Sequence, residues 1–363
     1  MAEFKGLIRE EVRELAYYVP GKPIEEVKRE LGLNAVIKLA SNENPWGPSP
    51  RAIEAMQEAL ADIGRYPDGS AYVLRAALVE HFQLSGEHFI FGNGSDEIVQ
   101  LIASAFFRAG DEILMGVPSF PRYETVTRIM GAIPVEIPLE DGYYPLEGML
   151  AKLSEKTRAI FICNPNNPSG TVRTSADLRE FVAKVPKKVL LIFDEAYLEF
   201  THEKFSGLEF LAEGRPVIVL KTFSKAYGLA GVRVGYAISQ PEFVDALNRV
   251  RPPFNVNSVA MAGAVAAFAD QVYLSEVVEK NRQEREALTV NLEALGAKVL
   301  PSETNFILAF FPGKGPELAQ ELLRRGVIVR PGVAFGYPDA QRITVGNHDE
   351  NGKLLTAIKE LLL

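Results

Sequence analysis

The segment Val217-Ile-Val-Leu-Lys221-Thr222-Phe-Ser224-Lys225-Ala-Tyr-Gly228-Leu-Ala-Gly231-Val-Arg233-Val-Gly235-Tyr236 ends an apolar run in hydroxyls, lysines and glycines. The four residues to Leu220 read as a buried strand. Lys225 then stands at a strand end, where a cleft mouth can strip water from its amine. Desolvation disfavours the ammonium and brings its pKa from about 10.4 towards the working pH. Such an amine can form a Schiff base with an aldehyde. Thr222, Ser224 and Arg233 supply hydroxyls and a fixed cation for a phosphate nearby. An isolated Ser-Lys pair is more often a surface lysine after a core strand, so the rest of the chain has to decide.

Working outward, the chain has 363 residues, enough for one large or two modest domains. Apolar residues make up 47% and charged residues 24%, the balance of a soluble globular protein. A net charge of −8 argues against a nucleic-acid partner. The single cysteine, Cys163, has no partner for an internal disulfide, which suits a reducing cytoplasm. The N-terminus is charged and lacks a signal-peptide core, and no apolar run is long enough to span a membrane. The four histidines show no metal spacing.

Before the lysine segment, apolar strands and amphipathic helices alternate. Strands are expected at 88–91, 112–115, 134–137, 157–163 and 189–193. Helices are expected at 51–63, 71–82, 95–108, 120–130, 146–153 and 175–184. This alternation means a mostly parallel sheet covered on both faces. Ligands in such sheets bind outside the strand C-termini. The polar clusters 92–97, 164–171, 194–197 and 222–225 all follow strands and should meet there. From Arg251-Pro-Pro the character changes. A long helical region at 260–295 precedes Ala297-Lys-Val-Leu300, strands at 305–310, 327–330 and 341–345, a helix at 316–325, and a final helix from Asp349, its expected cap. The division expected is an N-terminal arm (1–45), a large domain (46–250) and a small C-terminal α/β domain (251–363).

One molecule accounts for the polar clusters together: pyridoxal 5'-phosphate. Asp194 ends an apolar strand and should be buried, which is costly unless a cation pairs with it. A protonated pyridine nitrogen is such a partner and keeps the ring an electron sink. Asn167 and Tyr197 are placed to hydrogen-bond the ring phenolate oxygen, and Lys225 to hold the aldehyde. Gly94, Ser95, Asp96, Ser224 and Arg233 surround the phosphate, with helix-start amides contributing. Phe120 stacks on the ring.

The motifs N-P-N-N-P-S-G (164–170), F-D-E-A-Y (193–197) and T-F-S-K-A-Y-G-L-A-G-V-R (222–233) resemble those of fold type I aminotransferases. More narrowly, I-K-L-A-S-N-E-N-P, R-Y-P-D-G-S, G-N-G-S-D-E, P-F-N-V-N and R-I-T-V-G are similar to histidinol-phosphate aminotransferases. The resemblance covers nearly the whole chain in the same order. It implies transamination between L-histidinol phosphate and 2-oxoglutarate in histidine biosynthesis, with Lys225 as Schiff-base lysine and proton shuttle. It implies a homodimer in which Tyr66 reaches the cofactor phosphate of the neighbouring subunit. It assigns Arg342 to the substrate carboxylate, and Tyr18 and Arg330 to the phosphate end of the amine substrate. Asn42 and Asn167 stand with them as substrate-binding positions. Three positions depart from the pattern: no proline precedes Tyr18, Trp46 replaces a leucine, and Asn347-His348 follows R-I-T-V-G. Tyr18 and Trp46 are expected to border the substrate, so an aromatic amino-acid aminotransferase stays open. So does decarboxylation of the threonine-phosphate type, since sequence does not fix which Cα bond breaks.

Overall fold

The structure, a computed structural model, describes residues 5–13, 15, 17 and 21–362. Its strands in chain order are β1 (Ile37–Leu39), β2 (Phe89–Gly92), β3 (Glu112–Val117), β4 (Ile133–Pro138), β5 (Thr157–Cys163) and β6 (Leu190–Asp194). They continue with β7 (Val217–Thr222), β8 (Gly235–Ser239), β9 (Lys298–Val299), β10 (Phe306–Phe310), β11 (Val327–Pro331) and β12 (Ala340–Thr344). The larger sheet runs β2-β8-β7-β6-β5-β3-β4. Its pairings are parallel from β7 through β4, and β8 lies antiparallel between β2 and β7. β6 and β7 are buried at every position, because helices cover both faces of a parallel sheet. That is why they read as continuous apolar runs.

The register aligns the strand ends that carry polar residues: Cys163 pairs with Asp194, and Asp194 with Leu220. The loops after β5, β6 and β7 therefore leave the sheet side by side. Behind them, Lys221 meets Glu195 at 3.0 Å, both side chains buried, tying the end of β7 to the start of the β6 loop. β8 was not expected from sequence. It fits against the helix start at Ser95 only because residue 235 is glycine: a Cβ there would lie 2.6 Å from the Ser95 amide nitrogen.

The smaller sheet runs β1-β11-β12-β10-β9. β1, whose residues fall in the expected arm, is its edge strand and pairs in parallel with β11. The short helix Glu10–Arg13 packs instead on helix Arg122–Ile129, with Arg9 donating to the Ile129 carbonyl. The long helical region expected at 260–295 is two helices, Ser258–Ala269 and Gln271–Ala294, bent by 80°. Asp270 makes the break, its side chain accepting from the Tyr273 amide at the second helix start. The last helix begins at His348, and Asn347 rather than Asp349 caps it. Its side chain accepts from Glu350 N while the Glu350 carboxylate accepts from Asn347 N.

Candidate active site

A cavity of about 280 Å³ opens where the strand ends meet and reaches across to β11 and β12. Gly94 precedes helix Ser95–Phe106 with a φ of 79°, a conformation glycine adopts without strain. A Cβ there would fall on the Arg233 guanidinium. Arg233 Nη1 donates to the Ser224 hydroxyl at 3.3 Å, and Ser224 N donates to the Thr222 hydroxyl at 3.1 Å. Helix-start amides, two hydroxyls and a guanidinium thus surround one corner of the cavity, the donor set a phosphate needs. The Asp96 carboxylate is not free to oppose an anion, since Arg122 Nε holds it at 2.6 Å.

On the cavity floor Asp194 is only 6% exposed. Burial raises its pKa, while hydrogen bonds from the Tyr123 hydroxyl and the Ala196 amide lower it. The Tyr123 bond is 2.6 Å and the Ala196 bond 3.1 Å. Tyr123 is itself buried, its ring stacked on Phe161 at 4.3 Å. Phe120 lines the cavity and meets Tyr123 edge-on. The Tyr197 hydroxyl receives the Asn42 amide at 2.9 Å and the Asn167 amide at 3.4 Å. Lys225 Nζ lies 5.8 Å from the Tyr197 ring centre. Burial, followed by the Arg342 guanidinium charge, pushes its ammonium down to about 8; Glu43 pulls against this, and smaller contributions from Arg233 and Asp194 oppose each other. A sizeable neutral fraction near neutral pH makes it a nucleophile and a base.

The far wall carries two arginines. Arg330 and Arg342 are direct partners across the antiparallel β11–β12 pair. Both guanidiniums lie over the Phe335 ring, at 5.9 and 5.3 Å from its centre. Like charges placed directly opposite are unfavourable on their own, and an anion between them reverses the sign. Arg342 also donates to Asn167 Oδ1 at 2.7 Å and to the Ala40 carbonyl at 2.6 Å.

Ser95, Asp96, Phe120, Asn167, Asp194, Tyr197, Ser224, Lys225, Arg233, Asn42, Arg330 and Arg342 all line this one cavity. Tyr66 does not; it is 83% exposed and stacks on Phe254. Tyr18 lies outside the described residues. Trp46, expected near the substrate, instead borders a separate surface depression together with Asn347 and His348. Cys163 also lines the cavity, with burial pushing its thiol up to about 12, so it is no nucleophile. Sequence reasoning missed Tyr123, although in the helix expected at 120–130 it falls one turn after Phe120 and so on the same face; the observed helix starts only at Arg122. It also missed Glu43, which lines the cavity and pairs with Lys38 at 2.9 Å. The donor set fits pyridoxal phosphate: a buried carboxylate for a ring nitrogen, two polar groups for a ring oxygen, a lysine with a depressed ammonium and a phosphate cradle.

Residues 34–358 match the family described as aminotransferase class I and II. The histidinol-phosphate aminotransferase of Caldicellulosiruptor saccharolyticus is 45% identical over 358 residues, covering 98% of this chain and 100% of that one. The crystal structure of the Sinorhizobium meliloti histidinol-phosphate aminotransferase in complex with pyridoxal-5'-phosphate superposes with a TM-score of 0.89. It is 29% identical and covers 98% of this chain and 97% of the other. An L-threonine-O-3-phosphate decarboxylase from Porphyromonas gingivalis shares the fold, with a TM-score of 0.80 at 23% identity over 90% of this chain and 99% of its own. With its family match over nearly the whole length, its relative at 45% identity and its lysine, aspartate and arginines gathered in one cavity, the chain belongs to the class I and II aminotransferases.

Proposed function

We propose that the protein transfers an amino group between L-histidinol phosphate and 2-oxoglutarate, forming imidazole acetol phosphate and L-glutamate in histidine biosynthesis. The observation that carries this reading is the Arg330–Arg342 pair on the wall facing Lys225 and Asp194. Glutamate presents an α-carboxylate where histidinol phosphate carries a CH₂-phosphate, and a planar guanidinium binds either anion through paired hydrogen bonds. Arg342 serves both donors, while Arg330 favours the phosphate.

Pyridoxal phosphate, when bound, supplies an aldehyde that captures the amine and a ring that takes up the electron pair left at Cα. Asp194 holds the ring nitrogen protonated from the buried floor, with Tyr123 keeping its carboxylate ionised and aimed. Tyr197 and Asn167 would hold the ring oxygen, and Phe120, on the same cavity lining, would contact the ring. The Ser95 and Asp96 amides, Ser224 and Arg233 hold the phosphate at its corner. Lys225 Nζ, part-neutral near neutral pH, would take the proton from the substrate Cα and pass it to the cofactor carbon that carried the aldehyde.

The active unit proposed is a homodimer. Tyr66, exposed and outside its own cavity, then completes the partner's phosphate site. The division expected at 46–250 and 251–363 is corrected in one respect: helix Ser258–Ala269 packs on helix Pro50–Ala59 and shares a core with Leu74, Phe89 and Phe223, so the proposed boundary lies near Asp270, and residues 1–45 form an arm whose strand β1 joins the smaller sheet. No single helix among the described residues is long and apolar enough to cross a membrane. The cytoplasm is the proposed compartment.

Incubation with L-histidinol phosphate and 2-oxoglutarate should yield glutamate in one-to-one proportion to the amine consumed. Carbon dioxide release without consumption of the oxo acid would overturn the reading in favour of decarboxylation.

A further inference from the structure

We infer that Asn42 is a positioning residue that fixes the direction of the Tyr197 proton, turning it into the cavity. The inference rests on the cofactor reading above and concerns residues of this chain alone. Asn42 is 1% exposed and holds a left-handed backbone at φ 55°. A non-glycine residue in that conformation needs support from its surroundings. Here every polar group of the residue is engaged. Its amide nitrogen donates to the Thr344 hydroxyl at 2.9 Å, and its carbonyl accepts from Asn305 Nδ2 at 2.9 Å. The Thr344 hydroxyl donates back to Asn42 Oδ1 at 3.3 Å. That bond sets which way the side-chain amide faces: Oδ1 towards Thr344, Nδ2 towards the Tyr197 oxygen at 2.9 Å.

Asn167 repeats the device from the other side. Arg342, a donor only, occupies Asn167 Oδ1 at 2.7 Å, so the Asn167 NH₂ faces the same tyrosine oxygen. A phenol has one proton, and its oxygen here already receives two N–H groups. Its own O–H is left to point into the cavity, where a ring phenolate oxygen needs a donor. Among the described residues, the charged and titratable groups that act on or lie over Tyr197 include Arg342, Cys163, Asp194 and Lys225. None of them accepts a hydrogen bond from the hydroxyl. Asn42 therefore acts through Tyr197. Asn42 also lines the cavity, so this role stands beside the substrate contact expected for it from sequence.

A double-mutant cycle tests it. Asn42→Gly keeps the left-handed backbone and removes the amide. Each apoprotein is titrated with pyridoxal phosphate to obtain Kd, and the pH dependence of the bound cofactor's absorbance is recorded. Thermal midpoints of the apoproteins check folding. With Tyr197 present, Asn42→Gly should weaken cofactor binding about fivefold, the loss of one net hydrogen bond. It should also move the absorbance transition to higher pH, since the phenolate form loses a donor. In the Tyr197→Phe background the same substitution should change neither quantity. If the glycine variant unfolds, Asn42→Asp repeats the cycle with a side chain of equal size that also tolerates the left-handed region. Its carboxylate takes the tyrosine proton, so the coupling should grow. Equal losses in both backgrounds, or no loss in either, would overturn the inference. A wild-type protein that binds no pyridoxal phosphate would instead overturn the cofactor reading.

Discussion

Replacing Tyr123 with phenylalanine removes one oxygen atom from a fully packed site. The ring stack on Phe161 stays, so neither a cavity nor a steric clash is introduced. What is lost is the 2.6 Å hydrogen bond to Asp194, leaving the carboxylate with the Ala196 amide alone. A hydrogen bond to a charged group contributes about 1.5–3 kcal/mol. Two outcomes share that loss. If Asp194 stays ionised without cofactor, the apoprotein is destabilised by the whole amount. If Asp194 protonates to escape its buried charge, the apoprotein loses less and cofactor binding must drive the deprotonation. Burial already raises the Asp194 pKa and the Tyr123 bond lowers it, so removing the bond favours the protonated form. The second outcome is therefore expected. Cofactor Kd should rise about ten- to hundredfold, and the loss should be greater at pH 6 than at pH 8. Titration of the apoprotein with pyridoxal phosphate at both pH values, beside urea unfolding of the apoprotein, measures the two shares. A Kd unchanged at both pH values would refute the claim that Tyr123 keeps Asp194 ionised for the ring.

Lys225→Ala should abolish covalent cofactor attachment and lower transamination by several orders of magnitude, because amine capture and proton transfer are lost together; denaturing mass spectrometry after borohydride reduction detects the attachment. With the Lys225 ammonium brought down to about 8, the rate of covalent capture by the apoprotein should rise about tenfold per pH unit below that value and level off above it. Stopped-flow absorbance across pH 6 to 10 measures this, and a flat profile would contradict the assignment. Arg342→Lys should damage both half-reactions, since lysine cannot keep the paired contacts to Asn167, Ala40 and substrate. Arg330→Ala should slow the histidinol-phosphate half-reaction about ten- to hundredfold and the glutamate one less; equal losses in single-turnover measurements would remove Arg330 from substrate choice.

Much of the site is legible in sequence because a parallel sheet announces itself. β5, β6 and β7 are apolar runs, and the polar residues that follow each run can only emerge at one sheet edge. That logic brings Lys225, Asp194 and Asn167 to one edge, and the motifs around them supply their expected roles. β8 is not legible, because its glycine reads as part of the preceding Gly-rich turn although it is required by the Ser95 amide alongside. The bend at Asp270 hides between two stretches of helix-forming residues, and only the cap at Tyr273 N reveals it. Asn347 and Asp349 are both residue types that cap helices, and the reciprocal Asn347–Glu350 bonds decide for Asn347 over the expected Asp349. The Arg330–Phe335–Arg342 group depends on the register between β11 and β12, which sequence does not specify. Lys221 sits within a strand pattern and gives no hint of Glu195, its buried partner. Nor does local sequence relate Asn42 to Tyr197, which are 155 positions apart.

The central claim is that two arginines on one wall and a lysine–aspartate pair on the other select an amine bearing a phosphate. A direct comparison of kcat/KM for L-histidinol phosphate and L-phenylalanine, each with 2-oxoglutarate under the same conditions, puts that claim to measurement. The account predicts at least about a tenfold preference for histidinol phosphate, the lower bound for one charge-assisted contact that phenylalanine cannot make. A preference of tenfold or more for phenylalanine would contradict it and make the protein an aromatic amino-acid aminotransferase.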